Sequence, residues 1–182
     1  IVAGVAAGTL PAERLAEAAT RGIALMLHQA AVAEAPDPSL IGSNDELSYE
    51  ESLAGMTVVQ GTCGTPLVGS SIQVAGGTET DRARLSSAAE AAGLTVGSGE
   101  VVQLLSGAEP AAGDVVVALD TPYPLGTSEA AAARIALYGR TPAAFRALVD
   151  VLLGSATAGG TLPVTVDGVD QTGCGTLSVE VD

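Results

Sequence analysis

The sequence predicts an α/β fold with a mostly parallel sheet, and the stretch from Asp114 to Gly154 carries most of that prediction. Asp114-Val115-Val116-Val117-Ala118-Leu119-Asp120 is a continuous apolar, β-branched run, the pattern of a strand buried on both faces. Thr121-Pro122-Tyr123-Pro124 interrupts it, because each proline removes a backbone donor and forces the preceding residue out of helical geometry. An Ala-rich helix is expected from about Ser128, then a strand over Arg134-Ile135-Ala136-Leu137-Tyr138-Gly139. Thr141-Pro142 reads as an N-cap and first helical residue, where a missing N–H costs nothing. Phe145, Leu148, Val149 and Leu152 then fall on one stripe, and Gly154 is placed to end the helix. Strand, helix, strand and helix in such short succession imply parallel strands joined by crossovers.

The remaining elements follow in order. Pro11 opens a first helix, with Thr9 or Leu10 near its cap. Its apolar stripe is Leu15, Ala18, Ala19, Ile23, Met26 and Leu27, and Glu17 and Arg21 form a favourable i,i+4 pair. Periodicity then disappears through Glu34-Ala35-Pro36-Asp37-Pro38 and Gly42-Ser43-Asn44, which reads as a linker and a domain boundary. Leu47 to Ala54 is a short acidic helix ended by Gly55, and Thr57 to Gln60 is strand-like. Ser71 to Ala75 is the first strong strand, and Thr78 or Thr80 caps a helix holding Leu85, Ala88 and Ala89 and stopped by Gly93. Short strands are expected over Leu94 to Val96 and Val101 to Leu105, and a last strand over Thr161 to Val166, at an edge because of Pro163.

At 182 residues the chain suffices for one full core with an additional segment at one end. Only three Tyr and one Phe are aromatic, so that core must be built from Val, Leu, Ile and Ala. All seven basic residues are Arg against 21 acidic ones, and the net charge of −14 argues against nucleic acid and anionic membrane as partners. No apolar run reaches the roughly 20 residues of a bilayer span, and no signal-peptide pattern opens the chain. It begins at Ile1 rather than Met, from which we expect residues upstream.

Cys63 and Cys174 both lie in Gly/Thr-rich turns with no metal-ligand spacing, and the single histidine, His28, is remote, so no metal site is expected. One reading joins the cysteines in a disulfide and places the chain in an oxidising, extracytoplasmic compartment. The other leaves two free thiols in a cytosolic protein, such as a small flavodoxin-like domain.

Open α/β sheets bind ligands outside the carboxyl ends of their strands. Asp120, Thr121 and Tyr123 sit at one such end and Arg140 at the next, which makes Asp120, Tyr123 and Arg140 candidates for contact with a sugar or another neutral polar ligand. In the competing reading Asp120 caps the turn, Tyr123 packs on the sheet edge, and Arg140 pairs with a surface carboxylate. Gly97-x-Gly99 is half of a dinucleotide fingerprint, and Gly107 to Gly113 lacks the Lys-Ser/Thr of a P-loop, so no nucleotide cofactor is expected. No nucleophile–base constellation is visible, and nothing selects a catalytic carboxylate pair from the 21.

Several stretches together resemble the end of a glycoside hydrolase family 3 enzyme of the two-domain β-N-acetylglucosaminidase type. Gly8-Thr9-Leu10-Pro11-Ala12-Glu13-Arg14-Leu15 through Leu25 resembles the last helix of that family's (β/α)₈ barrel. Glu50-Glu51-Ser52, Thr57-Val58-Val59 and Pro66-Leu67 resemble the opening of its C-terminal domain. Asp120-Thr121-Pro122-Tyr123, Leu137-Tyr138-Gly139-Arg140-Thr141-Pro142 and Gly160-Thr161-Leu162-Pro163-Val164 resemble its later strands and turns. The resemblance implies a last barrel helix over 1–30, a linker over 31–46, and a three-layer α/β sandwich over 47–182. It implies a secreted or cell-surface parent, possessing an upstream barrel as partner, that cleaves terminal N-acetylglucosaminides of cell-wall or chitin fragments without a cofactor. The family's nucleophile and acid–base motifs match no residue here, so no catalytic residue is carried over. A different class remains open: a secreted binding or scaffold module for a cell-wall glycan or a protein partner.

Overall fold

The computed structural model describes residues 1–32, 37–169 and 173–174. The chain divides into two compact units, Ile1–Ile41 and Gly42–Asp182. The first contains α1 (Val2–Ala6), α2 (Ala12–Val32) and a 3₁₀ turn at Pro38–Leu40. α2 starts one residue after Pro11, and the expected Glu17–Arg21 pair forms at 2.6 Å, with Arg14 also on Glu17 at 3.0 Å. α2 buries none of its residues, and its apolar side chains, Ile23, Leu25, Met26 and Leu27 among them, are exposed.

The second unit runs α3 (Asp45–Gly55), β1 (Thr57–Gln60), β2 (Ser71–Gly76), α4 (Glu79–Ala91), β3 (Thr95–Val96), β4 (Glu100–Leu105), β5 (Ala112–Ala118), a 3₁₀ turn at Tyr123–Gly126, β6 (Glu129–Ala136) and α5 (Pro142–Leu152). Among the described residues these strands form one sheet in the order β1-β6-β5-β4-β2-β3. Every pairing is parallel except β1 with β6, so the fold is α/β with a mostly parallel sheet.

β5 is the middle of this arrangement, and Val115, Val116 and Val117 are all fully buried. Alternation along it divides the core. Val115 and Val117 join the larger cluster with Val102, Leu104, Ile135 and the α5 residues Phe145, Leu148 and Leu152. Val116 and Ala118 face the other way, toward Val59, Leu105, Leu125 and Ala136. α3, α4 and α5 therefore cover one face, while the 3₁₀ turn and the coil carrying Leu162, Val166 and Val169 cover part of the other. The rest of that second face is polar, with Gln73 exposed and Gln103 and Asp114 half-buried.

Local chemistry explains the helices. Thr78 and Asp81 form a reciprocal capping box at the start of α4, and the Thr141 hydroxyl accepts from the Ala144 amide at 3.1 Å to start α5. Gly154 has φ +71°, and the following Ser155 N–H returns to the Asp150 carbonyl at 2.9 Å, closing α5.

Two expected elements are absent. The Ala-rich stretch after Ser128 is not a helix but the first half of β6, aligned in parallel with β5 from Ala112 opposite Glu129. Helix propensity loses here to position: residues 129–133 lie along β5, where their backbone groups enter its parallel ladder and alanine is small enough for either face. The β5–β6 crossover is thus a 3₁₀ turn and coil, and β4 returns to β5 through residues 106–111 without a helix. An extended link of that length reaches about 20 Å, enough to retrace one short strand. Thr161 to Val166 is likewise no strand. Thr161 makes a single antiparallel bridge to Gly173, and Pro163 cannot donate to a ladder, so the segment lies across the sheet as a cover.

Cys63 and Cys174 form a disulfide across a separation of 111 residues, so the reading that needs free thiols does not hold. Arg134, projecting from β6, ties the second-face cover together by donating to the Leu125 carbonyl and, at 3.3 Å, to the Gly168 carbonyl. In the chain-entropy account, opening so long a loop costs about 4–5 kcal/mol, less whatever the native geometry strains. We expect the Cys63→Ser/Cys174→Ser double variant to unfold at clearly lower urea concentration than the parent, measured by far-UV circular dichroism without reductant. An unchanged midpoint would show that the cross-link adds nothing to the folded core.

Candidate functional site

The carboxyl ends of the parallel strands are the first place to look for a site, and three connections meet there. β2 ends at Gly76-Gly77, both with positive φ, and passes directly into the Thr78 cap of α4. A side chain at Gly76 would strike the Leu104 carbonyl, so this close approach requires glycine. β5 ends just before Asp120. β6 is followed by Tyr138, the one non-glycine with positive φ among the described residues (+56°), and then by Gly139 and Arg140.

Arg140 joins these connections. Its Nη1 donates to Asp81 Oδ2 at 2.7 Å and its Nε to Asp120 Oδ1 at 2.9 Å, while Nη2 contacts Asp120 Oδ2. Asp81 also accepts from the Thr78 hydroxyl at 2.7 Å and the Thr78 amide at 2.9 Å. Arg84 donates to the Arg140 carbonyl, and Arg82 caps the β2 end through the Gly76 and Gly77 carbonyls at 2.8 and 3.0 Å. The Asp81 side chain is 3% exposed, against 46% for Asp120.

The electrostatics follow from this geometry. Burial raises the pKa of Asp81, but the two Thr78 hydrogen bonds and the positive charges of Arg140 and Arg84 outweigh it, and the carboxyl titrates below its ordinary range. Arg140 is held above the ordinary arginine value, chiefly by its hydrogen bond to Asp120. Burial raises the Tyr138 phenol above its ordinary range.

Of the three residues singled out in the sequence, the structure brings Arg140 and Asp120 together. Tyr123 lies in the 3₁₀ turn with 58% of its surface exposed, and among the described residues it makes no hydrogen bond or ion pair with them. Asp81 lies in the first turn of α4, where an acidic side chain suits the helix dipole. Its second role depends on a contact 59 residues away along the chain, for which a sequence carries no local signal. What remains chemically is a clasp of one arginine and two carboxylates with its donors largely committed. Among the described residues, no group of three or more His, Cys, Asp or Glu is placed to hold a metal ion.

A broader groove of about 820 Å³ lies on the helical side, lined by Ala83, Ser87 and Ala91 of α4, Ala143 and Val149 of α5, and Asp45 of α3. At its α3 end, Arg146 contacts Asp45 at 3.3 Å and Glu46 at 2.9 Å and stacks 4.7 Å from the Tyr49 ring centroid. Tyr49 donates to Asp150 at 2.9 Å, so these groups fasten α3 to α5.

The sequence matches no family model and no curated protein. The fold does match solved structures. One is a glycoside hydrolase family 3 β-N-acetylglucosaminidase from Paenibacillus sp. str. FPU-7, with a TM-score of 0.57 and 18% identity over 92% of this chain and 42% of that one. Another is the β-glucoside phosphorylase BglX, with a TM-score of 0.51 and 16% identity over 91% of this chain and 40% of that one. A fungal multi-domain family 3 β-N-acetylglucosaminidase gives 0.51 and 16%, over 93% of this chain and 25% of that one. At such identities the likeness is one of fold, and this chain spans less than half the length of each of these structures.

Two outcomes test the clasp. Removing Arg140 takes a hydrogen-bonded cation from buried Asp81, which keeps its Thr78 bonds and the Arg84 charge, so Arg140→Leu should lower unfolding free energy by about 1.5–3 kcal/mol. Asp120→Asn, at a half-exposed position, should cost only about 0–1 kcal/mol. Equal losses in urea titrations of the two variants would contradict the assignment. The second test is pH. Asp81 has a depressed folded-state pKa, so its contribution is fully present above the unfolded value of about 3.9 and is lost as pH falls through the folded one. Asp81→Asn should therefore be less stable than the parent at pH 7 and show a shallower decline below about pH 4.

Proposed function

We propose that this chain is the non-catalytic C-terminal portion of a family 3 glycoside hydrolase acting on terminal N-acetylglucosaminides. Residues 1–30 are then the last helix of an upstream (β/α)₈ barrel, 31–46 a linker, and 47–182 a sandwich that packs against the barrel and supports it. The observation that carries the reading is the asymmetric fold match to the Paenibacillus β-N-acetylglucosaminidase, which takes in 92% of this chain and 42% of that structure. α2 adds support: an amphipathic helix that buries none of its residues is suited to a surface outside this chain. The Cys63–Cys174 disulfide favours an extracytoplasmic location, secreted or on the cell surface.

The reading gives the carboxyl-edge residues unequal roles. Arg140 spends its charge on both Asp120 and Asp81, and the three hold the edge together. Among Asp120, Tyr123 and Arg140, it is Tyr123 and Asp120 that have an exposed face, and any contact with an amino-sugar glycan falls to them.

The pure chain should not release nitrophenol from p-nitrophenyl N-acetyl-β-glucosaminide; measurable turnover that survives further purification would overturn the non-catalytic assignment. Native mass spectrometry of the protein from its own source, without reductant, addresses the partner. The expected result is a covalent or tightly held companion of barrel size, roughly 250 residues. A second reading, a free-standing secreted binding module, is favoured by the self-contained core and cross-link of the second unit. A chain found alone, with a mass two hydrogens short of the reduced form, would select that second reading.

A further inference from the structure

We draw no further inference here: the strongest candidate, the groove between α4 and α5 lined by Ala83, Ser87, Ala91, Ala143 and Val149, carries carboxylates and arginines of both signs, and nothing in the structure shows what covers it.

Discussion

A parallel strand that is apolar on both faces must be covered twice, and β5 imposes that requirement on the rest of the second unit. Val115 and Val117 are covered in the ordinary way, by helices that the chain produces between and after strands. Val116 and Ala118 are covered by coil instead, because both crossovers flanking β5 lack a helix. Coil has no hydrogen-bond ladder of its own to hold it flat on a sheet. The contacts that fasten it are side-chain ones: Arg134 donating to two carbonyls and Ser128 donating to the Pro124 carbonyl at 2.7 Å.

The same division accounts for what was legible in the sequence. α3, α4 and α5, the capping threonines and the centre of β5 are local matters of periodicity, propensity and turn chemistry, and all were readable. The Ala-rich half of β6 was not. Five residues of high helix propensity became a strand because they follow the crossover from β5 and extend its parallel ladder. Thr161 to Val166 failed for the complementary reason, since a strand-like pattern without a paired neighbour has no ladder to enter.

At the carboxyl edge, residue type was informative and geometry was not. Asp120 and Arg140 were recognisable as charged residues at adjacent strand ends, which left two uses open, ligand contact or mutual pairing. The structure pairs them and recruits Asp81, so one ion cluster ties together the connections at the carboxyl ends of the strands, where open α/β sheets commonly bind ligands. The left-handed conformation of Tyr138 belongs to the same arrangement. A bulky residue seldom adopts it, and here it lies in the connection that leads from β6 to Arg140.

The disulfide has a consequence of a different kind. Its two ends, at Cys63 and Cys174, enclose five of the six described strands and both α4 and α5 within one covalent ring. A single peptide-bond cut anywhere inside that ring leaves the two pieces chemically joined. They migrate as one molecule until a reductant separates them. An intact band on a non-reducing gel therefore shows that at least one of the two covalent links, backbone or disulfide, holds, and is silent on the continuity of the backbone inside the ring.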